Sequence, residues 1–236
     1  MKKKILITLC SVALVLAVTV GATLAYLSAQ TDKKENVFTV GAGITGELKE
    51  PLWDGDNFTV SNNRVDISGV SDNQLGKNLA VSFVPGRVIP KDPAVENTSA
   101  IDVCIAVTLD YSVSGNAATY SDVFGTTGFA EMNGANKTNW DYADDMSMAY
   151  YTVKVAPDDK TDTIFDSVKI KDLAKEIDVT DAAGNVIIHK MQGFQIDIKA
   201  YLIQAEGYTD ADGKLTDEGK TALNEVIAAS KATTTP

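Results

Sequence analysis

The sequence predicts an all-β fold, namely a two-sheet antiparallel sandwich of jelly-roll type with short peripheral helices and a C-terminal helix. Three observations predict it. Residues 101–111 and 194–203 alternate their side chains with a period of two, which is the repeat of a β-strand. Short apolar segments separated by Gly, Asn, Asp and Pro fill most of the remaining chain. Few windows have the period of a helix.

The chain begins with a segment typical of an export signal. Residues 2–4 are lysines and residues 5–20 are apolar, a length that fits a secretory signal better than a membrane span. Small residues follow, and a signal peptidase can cut after Ala22 or after Ala25. An uncleaved membrane anchor is the alternative, because apolar residues continue with breaks to Leu27. We expect a secreted protein of the cell surface or matrix, in contact with the membrane only through its unprocessed leader.

The charge of the processed chain excludes several partners. Removal of residues 1–25 takes away three lysines and no acid, which changes the formal net charge from -11 to -14. Such a chain repels nucleic acid and anionic lipid. It retains one cysteine, Cys104, so no intramolecular disulfide can form. Cys104 shares a strand face with the small Ala106, and we expect it to be a buried, inert thiol.

The predicted organisation has four parts. Residues 1–25 are the signal peptide, and residues 26–40 form an N-terminal arm that could act as a donor strand. Residues 41–230 form a single β-sandwich domain with a long insert near 112–146. Residues 231–236 are a flexible tail.

The shorter elements are predicted from local patterns. Strands are expected at 58–60 and 79–84, one or two helical turns at 171–177, and a hairpin loop at 181–185. A C-terminal helix is expected from Leu215 to about Ala229. We expect Asp217 to be its N-cap and its apolar face to contain Leu223, Val226 and Ile227.

Several motifs, in this order along the chain, resemble the TasA and camelysin group, which is exported through the alternative (SipW-type) signal peptidase of Gram-positive bacteria. They are the leader ending ATLAYLSAQTD, NVFTVG at 36–41, ITGEL at 44–48, PGRVIPKDPAVENT at 85–98, the strand 101–109, YYTVKV at 150–155, TDTIFDSVKI at 161–170 and AYLIQAEGY at 200–208.

The resemblance implies a jelly-roll sandwich that is secreted as a non-enzymatic subunit of a matrix fibre. In fibres of this type the freed N-terminal segment adds as a strand to the neighbouring subunit. The resemblance favours cleavage between Ala25 and Tyr26. The expected partners are a second copy or a related matrix subunit, and the signal peptidase during export. The arm residues with side chains worth burying are Tyr26, Leu27, Val37, Phe38 and Val40.

A camelysin-like secreted protease is the first alternative, because some relatives are described as metallopeptidases. A zincin needs two histidines one helical turn apart and a Glu base. This chain has one histidine, His189, in a β-type segment and contains no HExxH motif. The residue composition allows a Ser-His-Asp triad around His189, but no GxSxG motif supports it. We expect no catalytic residue, no metal site and no cofactor.

Each of three further features has a structural and a functional interpretation. Residues 210–213 (Asp-Ala-Asp-Gly) are predicted to form a turn rather than a calcium loop, because acids are missing at the first and last ligand positions. Acidic pairs and turns at 54–57, 144–145 and 158–159 are predicted to be turns or solvated charges. Trp53 and Trp140 are expected to pack, with sugar stacking in an adhesion or carbohydrate-binding module as the alternative.

Overall fold

The fold is that of a computed structural model, which describes residues 28–30, 43–81, 83–172, 176–180, 186–191 and 193–233. For 28–30, 176–180, 186–191 and 233 the description is of the backbone. The strands are β1 (Ser28–Gln30), β2 (Gly46–Lys49), β3 (Val88–Pro90), β4 (Ala94–Asn97), β5 (Val103–Val113), β6 (Asn116–Ala118), β7 (Ala130–Asn133), β8 (Trp140–Tyr142), β9 (Met148–Tyr151), β10 (Ser167–Ile170), β11 (Glu176–Thr180), β12 (Val186–Met191) and β13 (Phe194–Gln204).

Helices are short except at the C-terminal end. They are α1 (Pro51–Asp54), α2 (Gly76–Ala80), α3 (Tyr120–Phe124) and α4 (Asp217–Thr233), with single 3-10 turns at Ser61–Asn63 and Asp72–Gln74. Gly55 ends α1 in the left-handed region, with φ 88°, a conformation that glycine adopts without steric cost.

The main sheet is built on the pairing of β5 with β13. The two strands are antiparallel over their whole length, from Phe194 opposite Val113 to Gln204 opposite Val103. The sheet order is β1-β13-β5-β9-β8, and β6 pairs with the end of β5. Three smaller antiparallel sheets have the orders β3-β10-β7, β11-β12 and β2-β4.

Both faces of β5 are buried over most of its length, as the small residues Cys104 and Ala106 predict. Val103, Ile105, Val107 and Leu109 belong to the larger core cluster, with residues of β2, β4, β10 and β13. Cys104 and Ala106 face the other way, into a smaller cluster closed by the helix α4. Small side chains at these two positions allow the helix to lie close to the sheet.

The C-terminal helix confirms one prediction and corrects two. The predicted apolar face, Leu223, Val226 and Ile227, is buried against the main sheet. The N-cap is Thr216 rather than Asp217, because the Thr216 hydroxyl accepts the N–H of Gly219 at 3.2 Å. The helix also continues through Thr233, so part of the predicted tail is helical.

Other local predictions are wrong where packing overrides a short apolar pattern. Helix α2 occupies the first part of the strand predicted at 79–84, and residues 58–60 form no strand. The predicted helical turns at 171–177 overlap β11, whose pairing with β12 confirms the predicted hairpin around 181–185. The turn residues 181–185 lie outside the described residues.

The predicted insert near 112–146 is part of the sheets rather than a connection. It contains β6, β7 and β8 as well as α3. Trp140 on β8 is 1% exposed, and its indole N–H donates to the carbonyl of Asp162 at 3.1 Å. This aromatic side chain ties the segment to the core. The prediction of an antiparallel β fold with short helices and a C-terminal helix is confirmed, and the main sheet curves as a half-barrel.

The contact between α2 and β3 can be tested at Gly76. A methyl group on Gly76 would overlap the carbonyl oxygen of Pro90 and lie 2.6 Å from the ring of Trp53. We expect Gly76→Ala to lower the free energy of unfolding by about 1–3 kcal/mol, the usual cost of overpacking. Gly69→Ala is the matched control, because no atom lies within 4 Å of its added methyl group. Equal denaturant midpoints for the two variants would contradict this packing.

Candidate functional site

One edge of the main sheet is formed by a short strand from the N-terminal part of the chain. The backbone of β1 lies antiparallel to β13, with Ser28 opposite Ile203 and Ala29 opposite Leu202. On the far side of β13, the N–H of Ala205 donates to the carbonyl of Asp102 in the chain leading into β5. Backbone groups alternate in direction along a strand, so those of Leu202 face β1. Ala29 and Leu202 therefore form the hydrogen-bonded pair of this edge.

The strand that β1 covers is buried on both of its faces. Leu202 is fully buried in the larger core, whereas Tyr201 and Ile203 are 1% and 3% exposed on the side of α4. Backbone N–H and C=O groups next to such side chains need a hydrogen-bonding partner, because an unpaired buried polar group is costly. The edge at 201–203 thus favours the addition of a β-strand.

The predicted cleavage and arm residues are outside the part of the chain that is described. Ala25, Tyr26 and Leu27 precede β1, and Val37, Phe38 and Val40 follow it. The backbone of 28–30, between the two groups, is the part of the arm whose position is known. Their roles stay predictions.

A cluster of buried charges lies around β2, β4 and α1, and sequence reasoning missed it. Its members are at most 8% exposed: Lys49, Glu50, Lys91, Asp92 and Glu96. The signal was present in the segment 85–98, where four charged residues, three of them from this cluster, interrupt a proline-rich, mostly apolar stretch. Charged side chains are seldom buried this completely without partners.

At the centre of this charged cluster, Lys91 contacts Glu50. The Lys91 ammonium donates to both carboxylate oxygens, at 2.9 Å and 2.8 Å. It also lies 4.4 Å from the centroid of the Trp53 ring, a favourable cation–π distance. The side chains of Lys91 and Glu50 are only 8% and 10% exposed, so water screens this contact weakly.

Asp92 fixes the start of α1. Its Oδ1 accepts the N–H of Leu52 at 2.9 Å. Burial raises the pKa of Asp92 to about 7, and the nearby negative charge of Glu50 adds to the rise, although the backbone N–H groups of Leu52 and Trp53 oppose it. This carboxyl group therefore exchanges its proton near neutral pH.

Glu96 holds the loop that contains the wrongly predicted strand at 58–60. Its carboxylate accepts the backbone N–H groups of Thr59 and Val60, each at 3.1 Å, and the hydroxyl of Thr59 at 2.8 Å. Glu96 is itself completely buried. The backbone N–H groups of this segment are thus satisfied by a carboxylate from β4 instead of a strand partner.

Cys104, Trp53 and Trp140 are packed among other side chains. Cys104 is buried, and burial, with a smaller contribution from Asp102, raises the pKa of its thiol to about 12. The prediction of a buried thiol is confirmed, and so little thiolate at neutral pH makes it unreactive. His189 lies on β12 opposite Asp178, but its side chain is outside the description. Trp140 packs in the core, and Trp53 is half-buried beside Lys91.

The Asp210 turn is held by the side-chain carboxylate of Asp210. Asp210 Oδ1 accepts the N–H groups of Asp212 and Lys214 at 2.9 Å and 2.8 Å. Asp54 and Asp145 accept backbone N–H groups two residues ahead in the same manner. Each carboxylate thus stabilises a local turn, and the turn predicted at residues 210–213 is confirmed.

Within the described residues, His, Cys, Asp and Glu form no group of three or more that could hold a metal ion. The helices among these residues are all too short or too polar to cross a membrane.

The titration of Asp92 predicts a pH-dependent stability. Its pKa is higher in the folded chain than the ordinary 3.8, so the folded state holds the proton more tightly. The stability that this proton supplies is full below about pH 4 and is lost as the pH rises through about 7. Asp92→Asn keeps the acceptor oxygen but does not ionise. Between about pH 4 and pH 8, the free energy of unfolding of Asp92→Asn should rise relative to that of the wild type by on the order of 3 kcal/mol.

Urea unfolding at the two pH values measures this gain. Asp66→Asn is the control, because the N–H and hydroxyl of Ser68 lower the pKa of this exposed carboxyl, which is therefore ionised throughout most of the range. A difference between Asp92→Asn and wild type that is the same at both pH values would refute the assignment.

Comparison of the chain with models of known protein families, with curated proteins and with solved structures found no match.

Proposed function

We propose that this chain is a secreted, non-enzymatic structural subunit of an extracellular fibre of the biofilm-matrix type. In this proposal the signal peptidase cuts between Ala25 and Tyr26, and the remaining chain folds as a jelly-roll sandwich. Residues 26–40 of one subunit then add as a strand to the sheet of the next. The resemblance of the leader and of the segment 85–98 to the TasA and camelysin group supports the proposal.

The observation that carries the proposal is the position of β1. Its backbone occupies the outer edge of β13, and the side chains of β13 at this edge are buried on both faces. An antiparallel edge pairing uses the same backbone hydrogen bonds whether the strand comes from the same chain or from another. The edge at 201–203 therefore suits strand donation between identical subunits.

Strand donation of this kind produces a filament. The donor is at the N-terminal end and the acceptor is β13 near the C-terminal end, so the two surfaces of the contact differ. A contact between different surfaces is heterologous, and it continues indefinitely unless the rotation closes a ring. The hydrogen-bonded pair at Ala29 and Leu202 adds roughly 1 kcal/mol per hydrogen bond. Burial of apolar arm residues such as Val37 and Phe38 adds to this.

Deletion of residues 26–36 tests the proposal. We expect the processed chain to form filaments in negative-stain images and the deletion variant to remain a folded monomer. Removal of residues 234–236, which follow α4, is the control and should leave filaments intact. A synthetic peptide of residues 26–36 should bind the deletion variant, because the edge of β13 is then open.

Two results would overturn the proposal. Filaments of unchanged number and length from the deletion variant would exclude assembly through the arm. Casein hydrolysis by the pure protein, abolished both by a chelator and by His189→Ala, would show that the chain is an enzyme.

A further inference from the structure

Lys91 and Glu50 are arranged as a reacting pair rather than an ordinary surface ion pair. They are 41 residues apart in sequence, and the Lys91 Nζ contacts both oxygens of Glu50 within 2.9 Å. An amine nitrogen that touches both oxygens of a carboxyl group also lies close to its carbon. The two N···O contacts thus hold Nζ next to the atom that an amine attacks, which is the proximity that an intramolecular reaction needs.

We propose that Lys91 and Glu50 condense to form an intramolecular isopeptide bond that links the end of β2 to the segment before β4. Neither the fold class nor the proposed function requires this bond. It would be a covalent modification that the chain makes on itself.

The reaction balances without an oxidant, a reductant or a co-reactant. A proton passes from the Lys91 ammonium to the Glu50 carboxylate and leaves a neutral amine and a neutral acid. The amine nitrogen attacks Cδ of Glu50, so a C–N bond forms. The C–O bond to the acid hydroxyl then breaks, and that oxygen leaves as water with a proton from the nitrogen. The products are one amide and one molecule of water.

Burial keeps water away from the reacting groups. The two side chains are only 8% and 10% exposed, so few water molecules compete with the Lys91 amine for the carboxyl carbon. The Trp53 ring, whose centroid lies 4.4 Å from Nζ, also holds the lysine in place. Exclusion of water also slows hydrolysis of the amide once it has formed.

Asp92 is a positioning residue for this pair. It accepts the N–H of Leu52 and so fixes the chain two residues after Glu50. Because its pKa is raised to about 7, it also keeps a titratable proton beside Glu50 at neutral pH.

The other described lysine pairs lack this combination. Lys49 is shared between Glu47 at 2.8 Å and Asp56 at 2.9 Å, whose side chains are 23% and 33% exposed. Lys154 and Lys220 are paired with Asp102 and Asp141 at the surface. Lys49 therefore provides a matched control, because it adjoins Glu50 in sequence and is also ion-paired.

Intact-mass measurement of the chain beginning at Tyr26 tests the proposal. We expect a mass lower than that of the sequence by one water molecule. Lys91→Arg keeps the charge but should restore the full mass, whereas Lys49→Arg should still lose the water. The proposal would be overturned if the wild-type protein, both freshly purified and after long incubation, had the full mass calculated from its sequence.

Tryptic mapping of the wild-type chain keeps the test valid if Lys91→Arg fails to fold. The bond blocks cleavage after Lys91, so residues 50–64 should be recovered joined to residues 88–137. Separate peptides 88–91 and 92–137 would overturn the proposal. Asp92→Asn should slow the mass loss several-fold and flatten its pH dependence around 7, which a purely structural role would not do. None of these readouts depends on filament formation, so failure here leaves the proposed function untouched.

Discussion

The rest of the structure depends on the burial of β5 and β13 on both faces. The two strands pair over eleven residues each, and their alternate side chains enter two separate apolar clusters. Burial of a large apolar side chain contributes about 1.5–3 kcal/mol, so each face needs a covering layer. Helix α4 covers one face, and residues of the sheets β2-β4 and β3-β10-β7 cover the other. The outer edge of β13 is the part that neither layer covers, and β1 lies there.

The buried charges are explained by the need to connect these layers. Lys91, Asp92 and Glu96 come from one segment, and their partners are in the stretch that contains β2, α1 and the loop at 59–60. Buried ion pairs seldom add much net stability, because desolvation offsets their attraction. What they supply is geometry, since each carboxylate fits one set of donors. Proline has no backbone N–H to donate. The proline-rich segment is therefore held by its side chains.

Sequence reasoning succeeded where burial leaves a periodic pattern and failed where contacts come from distant residues. β5, β13 and the apolar face of α4 were predicted because alternate or helically spaced residues enter a core. The strands expected at 58–60 and 79–84 were wrong, because a short apolar window fits a strand, a turn or a helix equally well. Nothing local shows that Glu96 satisfies the backbone of Thr59 and Val60. The ion pair of Lys91 with Glu50 was missed for the same reason.

In the proposed fibre, the joints between subunits would be weaker than the subunits themselves. A joint made by a few edge hydrogen bonds contributes only a few kcal/mol before side-chain burial is added, which is less than the 5–15 kcal/mol that usually keeps a domain folded. Under load the joints would therefore open before the subunits unfold, and they could re-form. A covalent link between Glu50 and Lys91 would widen this difference, because it constrains the unfolded chain without touching the edge of β13. A subunit built in this way stays folded while its assembly remains reversible.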